Sequence, residues 1–437
     1  LSLPTASPRF LDTKLLENAK TIQTQISNLP FARTELQQFP IKEAKIIYEG
    51  ENAKKVIEMV LDLGGAHIDF VPGDTIGILP ENVPHEVETV INSLKFTSAA
   101  DDPYEIIIFH GTRKKNAKIP PYLPKIFNVR ELLTKFLDIR ATPKKLFIRS
   151  LIDHTSDDAE RKFLEVLCCK EGGELYAKCI EQKFTFIDLL LLCPSCCPPI
   201  GVLLEHLPRL LPRPYSVANS PLTTPDEIKI IFSILDKPYA GLTTSELESK
   251  CNNFFRDKNN PSYVNLYFRS RNKFKYSAED YSKNVVLIGV GVGVAPFLGF
   301  LEHQNELKKL NSNAIKGSTW LFTGYRSTEN ALYREEIKNY LANGVVQELH
   351  ESFSRDESRK CKYVQDCIKE IDEKFVNFIL LDDSVIYVCA DGALISKDIE
   401  NCILECIENV LKISKEEARE ILLGMKKSSK YIEDVWS

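Results

Sequence analysis

The segment Gly289-Val-Gly291-Val-Gly293-Val-Ala295-Pro296-Phe297 has the residue types that a phosphate cradle needs. It follows an apolar run, Asn284-Val-Val-Leu-Ile288, that reads as a strand, and it leads into Phe297-Leu-Gly-Phe-Leu301, which reads as a helix. Glycines let a backbone approach a pyrophosphate. A helix N-terminus adds unsatisfied N–H groups and the positive end of its dipole. Pro296 suits a first helical turn, where a missing donor costs nothing. Turns and tight packing also select glycine, so the run takes its meaning from its flanks. Upstream stands Arg213-Pro-Tyr215-Ser216. Downstream stand Ser354-Arg355, Lys362-Tyr363, Cys389-Ala-Asp391 and a terminal Asp434-Val-Trp436-Ser437. Each has a plain structural alternative: a surface turn with a core tyrosine, a solvated charge run, a buried thiol at a strand end, and a terminal packing anchor.

Taken in that order, these segments resemble the NADPH–FAD half of the diflavin reductases, over about residues 41 to 437. Two long stretches place the resemblance in the branch that serves methionine synthase. They are Ile139-Arg-Ala-Thr-Pro-Lys-Lys145 with Ser156-Asp-Asp-Ala-Glu160, and Pro194-Ser-Cys196 through Leu203-Leu-Glu-His-Leu-Pro208 to Ser216. The resemblance implies that Arg213 grips the FAD pyrophosphate, Tyr215 stacks on the isoalloxazine and Ser216 lies near flavin N5. Gly241-Leu-Thr-Thr244 resembles a second pyrophosphate contact through Gly241 and Thr244. Ser245 and Glu246 there replace a small residue and a Trp, and an ordinary loop competes.

For the nucleotide, the resemblance implies phosphate contacts from Gly291, Gly293 and Pro296, and from Arg326 in Gly324-Tyr-Arg326-Ser327. Ser354, Arg355, Lys362 and Tyr363 resemble the site for the 2′-phosphate of NADPH, with Lys360 as an alternative to Lys362. That phosphate carries up to about two negative charges, whereas an NAD site would want an acidic residue. Cys389-Ala-Asp391 resembles the family's Cys-Gly-Asp, which implies that Cys389 sits beside the nicotinamide with Ser216 and Asp434, that Asp391 binds cofactor, and that Trp436 covers the flavin and swings aside. Tyr325, Ala390 and Leu394 depart from the family's Cys, Gly and Asn.

The catalytic candidates are therefore Ser216, Cys389, Asp434 and Trp436. Hydride would pass from NADPH to FAD, then single electrons to an FMN domain, for reactivation of the cobalamin of methionine synthase. Two rivals remain: the same module serving a cytochrome or sulfite reductase, and a degenerate docking scaffold.

Composition is that of an ordinary globular protein. The 437 residues, 43% apolar and 27% charged, suffice for two or three domains. A net charge of −5 with scattered Lys and Arg gives no nucleic-acid footprint. Twelve cysteines at helical or adjacent positions, with no signal peptide, point to free thiols in a reducing compartment and a cytoplasmic location. Cys193-Pro-Ser-Cys196-Cys197 lacks a second pair at metal spacing, so it reads as structural and no metal site is expected. The apolar stretch 189–204 is broken by Pro194, Pro198 and Pro199, which argues against a membrane span. Beginning at Leu1, with only Met59 and Met425, the chain reads as a fragment whose FMN domain lies upstream.

The elements that must position these residues fall into four stretches. Residues 1–40 read as a linker or hinge, with a short helix near Lys14 to Ser27. Residues 41–117 and 198–280 carry strand-like runs, among them Lys45-Ile-Ile-Tyr48, Val56 to Leu61, Ile76-Gly-Ile78, Ile106 to Phe109, Ile228 to Leu235 and Val264 to Phe268. They read as an antiparallel β-barrel FAD domain. Residues 118–197 read as an inserted α-helical connecting domain, with Asn128 and Ser156 starting helices. Residues 281–437 alternate strand and helix, with strands at Val285 to Ile288, Trp320 to Phe322, Val345 to Leu349 and Val385 to Cys389. They imply an α/β parallel-sheet NADPH domain, giving a multidomain, ferredoxin-NADP reductase-like arrangement.

Overall fold

The computed structural model describes residues 1–17, 26–50, 53–234, 240–257 and 260–436, without the side chains of Asp391, Ala393 and Trp436. The chain forms two compact units, one from Leu1–Phe31 and Leu79–Arg213, the other from Ala32–Ile78 and Pro214–Ser437.

The first unit is mostly helical. Its helices start where short polar side chains meet orphan N–H groups. Asn128 accepts from the Glu131 amide ahead of Val129–Lys135, and Asp157 accepts from the Ala159 and Glu160 amides ahead of Asp158–Cys168. Thr185 and Asp188 cap Phe186–Leu192 reciprocally. The apolar stripes of these helices meet in one core that includes Leu132, Phe147, Leu164, Phe186 and Leu203.

The same unit holds a small sheet in the order Leu11–Leu15, Tyr104–Ile108, Ile126–Phe127. The run Ile106 to Phe109, expected in the flavin barrel, pairs here with Leu11–Leu15 instead. Residues read as linker thus contain a strand. Its Leu11 is fully buried, and one Glu205 carboxylate oxygen accepts both the Phe10 and Leu11 amides at 2.6 Å. Of the helix expected near Lys14 to Ser27, Lys14 and Leu15 lie in that strand and residues 18–25 fall outside the described residues. Cys193 and Cys196 are buried, and burial pushes their thiols up to about 12 and about 11. All twelve cysteines are free thiols.

The second unit carries two sheets. The six-stranded one runs Arg213–Ser216, Thr75–Ile78, Tyr263–Phe268, Gln37–Gly50, Ala53–Asp62, Glu227–Ser233. From Thr75–Ile78 through to Glu227–Ser233 neighbouring strands pair antiparallel, and the inner face packs Met59, Phe70, Ile76, Ile230 and Phe268. The five-stranded one is wholly parallel, in the order Glu348–Phe353, Thr319–Tyr325, Asn284–Val290, Ser384–Asp391, Tyr431–Trp436. The first of these begins at Glu348 rather than at the expected Val345, because Val345 and Val346 are buried in the turn ahead of it. Strand order reverses direction between Asn284–Val290 and Ser384–Asp391, and the crevice beyond such a switch point is where α/β sheets bind ligands.

The helix Ala295–Leu310, which follows the glycine run, ties the two sheets together. A methyl added at Gly299 would lie 3.1 Å from the Ala218 and Asn219 backbone. Ser220 and Tyr281 both bond the buried His303 at 2.8 Å, and burial lowers that imidazole to about 4. Phe274, Phe297, Phe300 and Tyr387 fill the space beside it, with ring centroids 5.3 to 6.0 Å apart. Among the described residues, no helix is long and apolar enough to cross a membrane.

Candidate functional site: a dinucleotide and flavin crevice

The glycine run leaves the strand Asn284–Val290, makes one 3₁₀ turn at Gly291–Val294 and enters the helix with Pro296 in its first turn. Two of its glycines are required for different reasons. Gly291 sits at φ +59° with nothing near its Cβ direction, which leaves open space above the turn. Gly293 has ordinary φ, but a methyl there would lie 2.1 Å from the Cys389 carbonyl oxygen. The replacement Gly293→Ala is therefore expected to cost about 3 kcal/mol through overpacking, and Gly291→Ala about 1 kcal/mol through left-handed backbone alone. Denaturant midpoints of the two variants check the order.

That contact brings the glycine turn against the end of the strand Ser384–Asp391. In register, Gly289 stands opposite Cys389, and Cys389 opposite Asp434. Ser216, on the far sheet, donates its hydroxyl to Asp434 Oδ2 at 2.8 Å. Residues 216, 389 and 434, far apart in the chain, thus form one cluster. Burial pushes the Asp434 carboxyl above its ordinary value, against the Ser216 hydrogen bond and the charge of Arg269. Burial likewise raises the Cys389 thiol, with Asp434 adding to it, so Cys389 is a neutral donor or packing group here. Ala390 is buried within its strand, while Leu394 stands 77% exposed at the start of the following helix. The backbones of Asp391 and Trp436 pair at the strand ends, and their side chains lie outside the described residues.

Arg213, Tyr215 and Ser216 share one short strand, Arg213–Ser216, with Arg213 exposed and the Tyr215 ring edge-on to Phe232 at 6.1 Å. Gly241 is the N-cap of a long helix, Leu242–Arg256, where a loop was the competing expectation. Thr244 donates back to the Gly241 carbonyl at 3.3 Å. The neighbouring Thr243 is buried and its hydroxyl finds no partner among the described residues. The segment just before it, 235–239, lies outside the described residues.

A cavity of about 400 Å³ opens beside the glycine turn. Gly291, Arg326, Ser354, Lys362 and Tyr363 all line it. Arg355 does not; its amide instead donates to the Arg326 carbonyl at 2.8 Å, beside the cavity wall. Lys362 reaches the Asp356 carbonyl at 2.7 Å, and Lys360 is ion-paired with Glu370 at 2.8 Å and does not line the cavity, so of these two it is Lys362 that stands at the cavity, which Lys54 also lines. Tyr363 is 60% exposed, a free face for a flat ring. Tyr325 is buried, donates to the Leu332 carbonyl at 3.3 Å and lies against Phe353, which accounts for its bulk at that position.

The sequence reading missed Thr243, Arg269 and the lining residue Gln365. Thr243 is distinguished from Thr244 only by which face of the helix is buried, and Arg269 comes near Asp434 only through the sheet. These residues fit the two cofactors. The open turn at Gly291 and the cationic cavity suit a phosphorylated dinucleotide. The helix start at Gly241 with the unpartnered Thr243 hydroxyl, and the Tyr215 ring, suit a flavin dinucleotide.

Comparison with known proteins agrees. Residues 29–245 match the family model described as FAD binding domain, and residues 287–397 match the oxidoreductase NAD-binding domain. The whole chain is 32% identical to the methionine synthase reductase of Rattus norvegicus and 31% identical to that of Homo sapiens, and covers 66% of each. It is 27% identical to the nitric oxide synthase of Drosophila melanogaster, over 86% of this chain and 28% of that one. The chain thus spans about two thirds of the length of the methionine synthase reductases that it matches. With both sheets, both family models and this alignment in agreement, the chain belongs to the diflavin reductase family, as an NADPH-dependent flavoprotein oxidoreductase module that binds FAD and NADPH.

Proposed function

We propose that this module carries electrons from NADPH through FAD to an FMN domain elsewhere in the whole protein, and that the final acceptor is the cobalamin of methionine synthase, in the cytoplasm. The cluster of Ser216, Cys389 and Asp434 at the end of the glycine turn carries this reading. When bound, FAD accepts an electron pair and gives it up singly, which a nicotinamide alone does not do.

The residues divide the remaining work. Arg213, Gly241 and Thr244 hold the flavin pyrophosphate, and Tyr215 packs on the ring system. Gly291, Gly293, Pro296 and Arg326 hold the nucleotide phosphates, while Ser354, Arg355 and Lys362 select the 2′-phosphate and Tyr363 stacks on adenine. Ser216 and Cys389 orient the nicotinamide, and the Asp434 carboxylate stabilises positive charge that develops on it. Asp391 and Trp436 complete the crevice. The boundaries 41–117 with 198–280, 118–197 and 281–437 remain our functional division into flavin, connecting and nucleotide domains. The names of the rat and human relatives support the methionine synthase acceptor.

The test is to quantify bound FAD and then to add NADPH or NADH anaerobically while following flavin absorbance. Fast bleaching by NADPH and slow bleaching by NADH is the expected result. Bound FAD that stays oxidised would place a defect at Ala390 and Leu394. A chain that binds no FAD would be a scaffold.

A further inference from the structure

The segment that lines the phosphate cavity is bracketed by two cysteines: Cys361-Lys362-Tyr363-Val364-Gln365-Asp366-Cys367. The Cys361 thiol donates to Glu370 Oε2 at 3.3 Å, one turn on from Cys367 along the helix Val364–Glu370, and Cys361 packs against the apolar core that holds Cys367. The cause is local geometry. Tyr363 is the N-cap of the helix Val364–Glu370, and the Asp366 carboxylate holds the Lys362 and Tyr363 amides at 2.8 and 2.9 Å. These bonds fold the chain ahead of Tyr363 back over the first turn of the helix, which sets Cys361 at the rim of the apolar core that includes Cys367. Cys361 is partly exposed and Cys367 buried, the arrangement of an attacking and a resolving thiol.

A second cysteine pair, Cys402 and Cys406, lies one turn apart on the helix Ala393–Leu411. Both are buried, and Cys402 donates to the Gln365 carbonyl at 3.5 Å. Of the four thiols only Cys361 is partly exposed, so Cys361 is the point of entry.

We propose that Cys361 and Cys367 form a reversible disulfide that weakens binding of the 2′-phosphate by pinning Lys362 and Tyr363. The inference rests on reading that segment as the 2′-phosphate site. The oxidant is a small disulfide such as oxidised glutathione. The Cys361 sulfur attacks one sulfur of the reagent, breaking its S–S bond and releasing one thiol. The Cys367 sulfur then attacks Cys361 Sγ in the mixed disulfide and releases the second thiol. The two protein protons end on the two released thiols, so two protein thiols are oxidised and one small disulfide is reduced. Burial pushes both protein thiols above their ordinary value, which slows the attack without changing its product. The bond ties Cys361 to the first turn of the helix, so the Lys362 backbone moves with it and the ammonium is re-aimed.

The FAD-loaded protein, incubated with oxidised glutathione and digested with trypsin without reduction, tests the bond directly. Cleavage after Lys360, Lys362 and Lys369 yields Cys361-Lys362 joined to the peptide 363–369 only when the disulfide exists. The oxidised protein is expected to show a KM for NADPH raised about fivefold, part of the worth of one charge-assisted contact, with KM for NADH unchanged and both restored by dithiothreitol. Cys361→Ser and Cys367→Ser each keep the reduced-state kinetics and lose the response. A glutathione adduct on Cys361 without the joined peptide overturns the proposal, as does a joined peptide with equal effects on both nucleotides. A reduced protein with no preference for NADPH instead overturns the cofactor-site reading, and peptide mapping distinguishes the two failures.

Discussion

Replacing Asp434 with Asn is expected to slow flavin reduction by NADPH about 10²-fold while leaving bound FAD unchanged, the usual scale for removing one preorganised group in a water-poor site. The carboxylate is held between a serine hydroxyl at 2.8 Å and the strand Ser384–Asp391, where Asp434 stands opposite Cys389. Asn keeps the shape and the ability to accept from Ser216, and loses only the charge. The pH profile adds a second readout. Burial raises the Asp434 carboxyl above its ordinary value, so protonation removes its charge at a pH where an exposed carboxylate would still be ionised. Stopped-flow reduction should therefore fall on the acid side, with the limb displaced upward from the usual carboxylate range, and Asp434→Asn should lack that limb. Ser216→Ala removes a hydrogen bond that opposes the shift, so its acid limb should move to still higher pH. An asparagine variant within twofold of the parent rate, with the same acid limb, would show that another group supplies the charge.

Replacing Lys362 with Ala is expected to lower kcat/KM for NADPH about 10- to 100-fold and to leave NADH almost untouched, since a charge-assisted bond is worth about 1.5–3 kcal/mol. Lys362 lines the cavity while Lys360 is engaged with Glu370 outside the lining, so Lys360→Ala should change the same ratio little. Steady-state kinetics with both nucleotides decide the matter. Equal losses with NADPH and NADH would mean that Lys362 supports the fold of its loop through the Asp356 carbonyl rather than reading the phosphate.

Local chemistry made much of this protein legible in its sequence. The glycine turn between a strand and a helix needs no partner to be recognised, because its φ angles and free N–H groups follow from glycine and Pro296 alone. The alternation after residue 281 announces a parallel sheet, because strands buried on both faces read as continuous apolar runs. The cap at Asn128 marks a helix start for the same local reason. Other features are non-local. The strand Ile106 to Phe109 is equally suited to either sheet, and its pairing with Leu11–Leu15 depends on contacts about a hundred residues apart. Ser216 reaches Asp434 across 218 residues, and Arg269 biases that carboxylate only after the sheets meet. The choice of Lys362 over Lys360 depends on where Glu370 falls one helix away. Residue types and short spacings determined which chemistry is present, because backbone propensity and capping act within a few residues. Which groups meet, and how their charges are tuned, was decided by tertiary structure, because burial and pairing are properties of the packed sheets.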